Sequence, residues 1–547
     1  MTLICVPIMV EDHHEALRDA TLAAEHGADL VEFRVDVFFE DKDESTDLLQ
    51  DRIDRVLDLV EVSPLPCIVT CRPHWEGGEY HGDDDERIAL YEALGTSDSP
   101  PAYIDVELAT YTRSANIRQK INLAVNHPKQ QRAVSTRLIL STHDFEGRPS
   151  DLTRKVLAMQ DEPACSVVKI AYRARSIRDN LELFEMLGDR QKPTIAMGMG
   201  EFGLMSRILA PKFGGFLTFA SLRDESTTAP GQITIDELLN LYRFRSITTA
   251  TKVYGIIGWP VTQSMSPMVH NAGFEAIGWD GVYVPMPVEG SYESFKATVL
   301  AMIDSTMNFT GASVTIPHKA HLFQLSIQEK QNGIWWADDN STLCKTANTL
   351  FRPLVFDETD IFENHLYNTD SSAIISLLGG TDSKFSGNPV CVYGSGGVAR
   401  AAVLSLCQRG ANIDLRFRSR EPAEKLAASA ENLEGTLQLN SIEDSPCNLA
   451  KLYINCTPVG MTDGPDPDEL SIPIHEMDQL APETVFFDTV YNPIETPMLK
   501  AARERGYRTI DGAAMFVKQA EAQFEIWTGQ SAPDGLFDRL VRKKLSD

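Results

Sequence analysis

A chain of 547 residues is too long for a single hydrophobic core, and its 43% hydrophobic and 23% charged content is that of a soluble globular protein. With 78 acidic against 50 basic residues the net charge is −28, which argues against nucleic acid or an anionic membrane as a partner. An anionic substrate would be repelled at long range, so a site for one must carry its own Arg and Lys. In chain order, the candidate strands of the first half are Leu3–Val10, Leu30–Val37, Cys67–Arg72, Tyr103–Leu108, Arg137–Thr142, Ser166–Ala171, Thr194–Met197 and Phe216–Ser221. Helical patterns fall between them, for example His14–His26, Ile53–Val60 and Asp179–Leu187. Eight such units in about 240 residues match a TIM (β/α)8 barrel in count and length.

The nine cysteines are scattered, with no CxxC pair and no His cluster at ligand spacing. Cys67 and Cys71 read as small buried hydrophobes on a strand. Acidic residues follow Leu3–Val10 at once, unlike a signal or transit peptide, and no apolar run is long enough to span a bilayer. The expectation is a cytoplasmic, reduced protein without metal.

Strands of a parallel barrel are buried on both faces, so polar residues within them need a reason. The usual reason is a catalytic mouth at their C-terminal ends. Glu32 and Arg34 share a face of the second strand, Arg72 ends the third and His143 the fifth. Lys169 lies within Val-Val-Lys-Ile-Ala on the sixth, and Arg207 follows the seventh. Each Arg taken alone could be a solvated strand end, and His143-Asp144 could merely cap a loop. Lys169 is different: an unpaired buried ammonium is costly and tends to lose its proton, which suits attack on a ketone.

These segments carry a family resemblance. Glu32-Phe33-Arg34-Val35-Asp36, Arg72-Pro73-His74-Trp75-Glu76-Gly77-Gly78, Ser141-Thr142-His143-Asp144-Phe145, Val168-Lys169-Ile170-Ala171 and Ala229-Pro230-Gly231-Gln232 resemble type I 3-dehydroquinate dehydratase. The resemblance implies an imine on Lys169, proton transfer by His143, and a carboxylate grip by Arg207. It implies substrate contacts from Glu32, Arg34, Arg72, Glu76, Thr228 and Gln232. Thr228 stands where the family usually has Ser and keeps the hydroxyl.

Thr248–Lys252 is a short polar stretch between a helical pattern ending near Arg245 and a new strand, Val253–Ile257, and marks a domain boundary. Further on, Pro389–Tyr393 (strand), Gly394-Ser395-Gly396-Gly397 (turn) and Val398–Arg409 (helix) form a glycine-rich junction where backbone can approach a pyrophosphate. The next strand, Ile413–Phe417, runs into Arg418-Ser419-Arg420 rather than an acidic residue, which suits the 2′-phosphate of NADP.

Ser264-Met265-Ser266-Pro267, Pro317-His318-Lys319, Thr346-Ala347-Asn348-Thr349 and Asn368-Thr369-Asp370 are singly what turns and caps are made of. In order, and with Asn455-Cys456-Thr457-Pro458-Val459-Gly460-Met461, Asp488-Thr489-Val490-Tyr491-Asn492-Pro493 and Asp511-Gly512-Ala513-Ala514-Met515, they resemble shikimate dehydrogenase. The resemblance implies Lys319 and Asp370 as the catalytic pair. Ser264, Ser266, Thr315, Asn348, Tyr491 and Gln519 would bind substrate; Gly394, Ser395, Gly396, Gly397, Arg418, Ser419, Arg420, Thr457 and Gly512 would bind NADP(H). Ser313 stands where many single-function members have Asn, and Phe417 replaces the usual Asn before the cofactor arginine.

The expected α/β architecture is a barrel over 1–246, a substrate-binding domain over 252–372, a Rossmann-like NADP domain over 373–490, and C-terminal helices over 491–547 returning to the substrate-binding domain. Small molecules are the expected partners: 3-dehydroquinate, 3-dehydroshikimate and shikimate. Two rivals share these domains: a quinate-responsive regulator with degenerate sites, and a catabolic enzyme oxidising quinate. Lys169, His143, Lys319 and Asp370 are all present, which disfavours the regulator. Ser266 and Thr315 look like the shikimate type.

Overall fold

Alternation of short apolar runs with amphipathic stretches gives eight parallel strands in the first half. They are β1 (Leu3–Met9), β2 (Leu30–Arg34), β3 (Cys67–Thr70), β4 (Tyr103–Glu107), β5 (Arg137–Asp144), β6 (Cys165–Arg173), β7 (Thr194–Met199) and β8 (Leu217–Phe219). The computed structural model describes residues 1–39, 46–125, 135–223, 231–329, 334–353, 363–380, 385–445, 447, 450–477 and 480–546. Contacts divide the chain into two units, one of Met1–Thr251 with Val284–Val288 and Leu300–Met307, the other of the remainder.

The barrel strands run in the order β7-β6-β5-β4-β3-β2-β1-β8. The Phe216 N–H donates to Thr194 O at 2.8 Å, joining the starts of β8 and β7 and nearly closing the ring. Helix His13–Glu25 shows how the outer layer forms: Asp12 caps it by accepting from the Glu15 N–H, and Ala16, Ala20 and Ala23 form its buried face. The helical pattern expected to end near Arg245 forms as a π-helix, Glu237–Leu241, followed by a 3-10 turn, Phe244–Ser246.

Strand periodicity positions the site. Leu30, Ile68, Tyr103, Ile139 and Val167 belong to one apolar cluster with Cys5, Leu217 and Phe219. The next inward residue on each strand, two positions on, is Glu32, Thr70, Asp105, Ser141 and Lys169 in turn. Two further on stand Arg34, Arg72, Glu107 and His143. An apolar floor therefore carries two polar tiers toward the strands' C-terminal ends.

The second half builds two sheets. The first contains β9 (Lys252–Gly258), β10 (Gly281–Pro287), β11 (Phe309–Val314), β12 (Ile334–Ala337), β13 (Thr349–Phe351) and β14 (Glu363–Tyr367) in the order β10-β9-β11-β13-β14-β12. β13 is antiparallel to both neighbours. The second contains β15 (Pro389–Tyr393), β16 (Asn412–Phe417), β17 (Thr436–Ser441), β18 (Leu452–Asn455), β19 (Val485–Asp488) and β20 (Arg508–Ile510), all parallel. Its order, β17-β16-β15-β18-β19-β20, is the doubly wound one, with the switch point between β15 and β18. Side chains alternate: Val390 and Val392 pack in one core, Cys391 and Tyr393 in the opposite one. Helix Gly512–Thr528 returns to the first of these sheets, burying Ala513, Val517, Ala520, Phe524 and Trp527 with Tyr254 and Tyr283.

Candidate active sites

One cavity at the barrel's polar end is lined by Glu32, Arg34, Arg72, Glu76, His143, Lys169, Arg207 and Gln232, with Phe145, Met197, Met199 and Phe219 as apolar wall. Every barrel residue expected to act lines it except Thr228, which lies outside the described residues.

Lys169 is buried, but it is not the unpaired ammonium expected. Its Nζ donates to Asp105 at 2.8 Å and Glu32 at 3.2 Å, and lies 4.7 Å from the centre of the Phe219 ring. Two carboxylates thus offset the cost of burying the cation. Arg72, also buried, pairs with Asp105 at 2.9 Å and Glu107 at 2.7 Å. Ser141 Oγ accepts from Arg72 at 2.8 Å and donates to Asp105 at 2.6 Å. Glu107 also receives the buried Arg87. Arg34 forks onto Asp36 at 2.7 and 3.0 Å, and the Glu79 N–H donates to the same carboxylate.

His143 Nδ1 and Glu76 Oε2 share a proton across 2.9 Å. Burial, then the charges of Arg72 and Lys169, push His143 well below its ordinary value, which favours the neutral ring. Burial pushes the Glu76 carboxyl up to about 8. Among the described residues Arg207 has no carboxylate partner. Its Nη1 reaches Phe219 O at 3.4 Å and Met197 Sδ at 3.8 Å, Nε is unsatisfied, and burial lowers the group to about 10. An uncompensated buried cation on a cavity wall is made for an anion. Asp36, Asp105, Glu107 and Arg87 were absent from the sequence-derived set.

In the second unit Lys319 Nζ donates to Asp370 Oδ2 at 2.6 Å. Asn348 Nδ2 donates to Asp370 Oδ1 at 3.0 Å, while Asn348 Oδ1 accepts the Thr369 N–H at 2.8 Å. The three residues therefore form one fixed group. A buried chain lies in the same lobe: Tyr283 OH donates to Ser313 Oγ at 2.8 Å, and Ser313 donates to Gln523 at 2.7 Å. Gln523 in turn donates to Thr349 Oγ1 at 3.0 Å. Sequence reading passed over Gln523, although it lies four residues beyond Gln519 on the same helix. Ser264 Oγ accepts the Ser266 N–H at 3.2 Å. Among the described residues no side-chain hydrogen bond joins Ser264, Thr315, Tyr491 or Gln519 to the Lys319–Asp370 pair; Tyr491 packs near Phe516, 5.7 Å between ring centres.

The glycine-rich turn sits at the switch point. Gly394 has φ +106° and its backbone abuts Cys456, whereas Gly396 and Gly397 open on empty space at the start of helix Gly397–Cys407. Ser395 lies between them, partly exposed. Across the switch point Thr457 donates its N–H and its hydroxyl to Asn455 Oδ1, at 2.9 and 2.7 Å. Gly512 fits because a side chain there would strike Val490 O, 2.2 Å away. Arg418 and Ser419 are exposed beyond β16, and among the described residues Arg418 makes no ion pair; Arg420 is held by Glu424 at 2.7 Å. This arrangement fits a dinucleotide: open backbone at a helix N-terminus would suit a pyrophosphate, and an exposed guanidinium past the end of the second strand would suit a ribose phosphate.

Among the described residues one trio has donors at metal-like spacing: Cys391, Asp414 and Cys447 lie within 4.8 Å of one another. Asp414 already takes Arg416 at 2.8 Å and Asn440 at 2.8 Å. No described helix is long and apolar enough to cross a membrane.

Comparison with known proteins agrees with both halves. The family model for type I 3-dehydroquinase matches residues 4–249, that for the shikimate dehydrogenase substrate binding domain matches 256–332, and that for the shikimate 5′-dehydrogenase C-terminal domain matches 512–542. The chloroplastic bifunctional 3-dehydroquinate dehydratase/shikimate dehydrogenase of Arabidopsis thaliana is 35% identical over 99% of this chain and 84% of its own. A shikimate dehydrogenase (NADP(+)) of Methanocella arvoryzae is 34% identical, covering 54% of this chain and 99% of its own. Among solved structures, the dehydroquinate dehydratase and shikimate dehydrogenase from S. pombe AroM is 23% identical, covers 99% of this chain and 98% of its own, and gives a TM-score of 0.43. The chain belongs to the family of bifunctional 3-dehydroquinate dehydratase/shikimate dehydrogenases.

Proposed function

We propose that the barrel dehydrates 3-dehydroquinate through an imine on Lys169, and that the second half reduces the 3-dehydroshikimate formed to shikimate with NADPH. The observation that carries this reading is the meeting, in one cavity, of a buried lysine, a histidine held by Glu76 and a buried arginine that has no carboxylate partner among the described residues. Arg207 receives the substrate carboxylate. Lys169 and the ketone combine to an iminium and water, which acidifies the neighbouring C–H. His143 removes that proton and returns it to the departing hydroxyl. Arg34, Arg72, Glu32, Glu76, Thr228 and Gln232 orient the ring. Pure protein given 3-dehydroquinate and NADPH should release shikimate with loss of the reduced-cofactor absorbance; no turnover would overturn the reading.

Glu76 sets a pH dependence. Protonated, it donates to His143 Nδ1 and leaves the proton on Nε2, the wrong tautomer for a base; ionised, it accepts from Nδ1 and frees Nε2. Dehydratase kcat/KM should therefore rise through about pH 8, the value to which burial pushes Glu76. Glu76→Gln should remove that limb, and a limb that survives reassigns it to another group.

In the second half Lys319 and Asp370 manage the proton at the C3 oxygen, while Ser264, Ser266, Thr315, Asn348, Tyr491 and Gln519 hold the substrate's hydroxyls and carboxylate. When bound, NADPH supplies the hydride. Gly394, Ser395, Gly396 and Gly397 would face its pyrophosphate, with Thr457 and Gly512 beside them. Arg418 would read the 2′-phosphate, with Ser419 adjacent and Arg420 second because Glu424 holds it. A charge-assisted contact of this kind contributes about 1.5–3 kcal/mol. Arg418→Ala should thus cost NADPH roughly one to two orders of magnitude in kcat/KM and leave NADH almost unchanged. Equal losses for both nucleotides would place the reader elsewhere.

We further assign residues 252–372 to substrate binding, 373–490 to NADP and 491–547 to helices that complete the substrate lobe. Buried Lys212 donates to Thr249 O and Thr251 O, both at 2.8 Å, fastening that segment to the barrel. Fragments 1–251 and 252–547 should each be soluble and keep one activity; loss of both would make the halves interdependent. We read the chain as a cytoplasmic enzyme of small molecules without metal, a reading consistent with nine free thiols.

A further inference from the structure

We propose that Asp105 is the counter-ion of the iminium formed on Lys169, and therefore a catalytic residue of the barrel. This rests on the reading that Lys169 forms the imine. Asp105 is fully buried on β4, one tier above the apolar floor. Its Oδ2 accepts from Lys169 Nζ at 2.8 Å. Its Oδ1 takes Arg72 at 2.9 Å and the Ser141 hydroxyl at 2.6 Å, so the carboxylate is held from the far side and cannot turn away. Burial alone would raise this carboxyl, but Arg72 and Lys169 outweigh it and hold the group well below the ordinary carboxylate range. Asp105 stays an anion and is a poor base.

The hydrogen count singles it out over Glu32. A lysine ammonium and a ketone give an iminium and water: the C=N bond forms, the C=O bond breaks, and two N–H hydrogens leave with the ketone oxygen. The nitrogen keeps its positive charge but only one N–H. The ammonium donates to both Asp105 at 2.8 Å and Glu32 at 3.2 Å, and Glu32 Oε1 already accepts the Thr70 hydroxyl at 2.7 Å. The remaining N–H stays on the shorter, better-anchored contact. At this buried position, a fixed anion beside a persisting cation stabilises the iminium through the proton abstraction that follows.

Borohydride reduces such an iminium to a stable secondary amine and so reports its population as substrate mass on the Lys169 peptide. In the full chain, Asp105→Asn should lower both trapped mass and dehydratase kcat roughly ten- to hundredfold, the range of a charge-assisted contact. Affinity for a substrate analogue carrying a hydroxyl in place of the ketone should not change, because that analogue forms no iminium. Trapping and turnover at wild-type level would overturn the assignment. Parallel loss of trapping and analogue binding would also overturn it, leaving Asp105 a structural partner of Arg72. If Asp105→Asn does not fold, Ser141→Ala decides, since it loosens the anchor without changing charge. It should lower trapping several-fold with analogue binding intact, and unchanged trapping would overturn the proposal. Absence of trapped mass on Lys169 in the wild-type protein would instead sink the imine reading itself.

Discussion

Lys169→Ala is expected to abolish dehydration of 3-dehydroquinate and to leave reduction of supplied 3-dehydroshikimate nearly untouched. Among the described residues no other side chain lining the cavity is an amine: Arg34, Arg72 and Arg207 carry guanidinium groups that stay protonated, and His143 is engaged with Glu76. Removing the amine also leaves Asp105 and Glu32 facing an empty position, so the variant should be less stable, although Arg72 still neutralises Asp105. Lys169→Arg separates the two effects. It restores a cation between the carboxylates yet cannot form an imine, so stability should recover and dehydration should not. Borohydride with substrate should label the wild-type Lys169 peptide and neither variant. Dehydration that persists in Lys169→Ala would remove this lysine from the mechanism.

The barrel was legible because each strand is a short apolar run and because parallel strands tolerate polar residues only at a working end. That same rule, followed one step further, reaches Asp105 and Glu107, which alternate with Ile104 and Val106 on β4. Neither lies in a segment that carries the family resemblance, so only the alternation on β4 marks them. Arg87 had no local signal. In helix Asp84–Thr96 it reads as a surface charge, and only the tertiary fold delivers it to Glu107. The pairing of Lys169 was equally hidden, since its partners lie 64 and 137 residues away. Pattern reveals which face a residue occupies; it does not reveal what faces it. In the second half the glycine turn and the strand into Arg418 were local signals, whereas the chain from Tyr283 through Ser313 to Gln523 joins three distant elements.

Replacing Lys319 with Met or Asp370 with Asn should lower the dehydrogenase kcat strongly while KM for 3-dehydroshikimate moves less. Lys319 is the first residue of helix Lys319–Gln328, where the positive end of the helix dipole disfavours a cation. Asp370, in the first turn of helix Thr369–Leu377, sits where a helix favours an anion. The carboxylate is thus fixed by its helix and by Asn348, and it holds the lysine, 2.6 Å away, in a place the lysine would not otherwise prefer. Such an arrangement suits a group that must give up a proton as negative charge develops on the ketone oxygen. General acid catalysis contributes roughly 10²–10⁴-fold, and either replacement should cost about that much in kcat. Because the two act as one unit, the double variant should lose little more than the worse single one. Dehydration of 3-dehydroquinate should be unaffected in all three. Normal kcat with only a raised KM would make the altered residue a substrate-binding group, and strictly additive losses would mean that the two act independently.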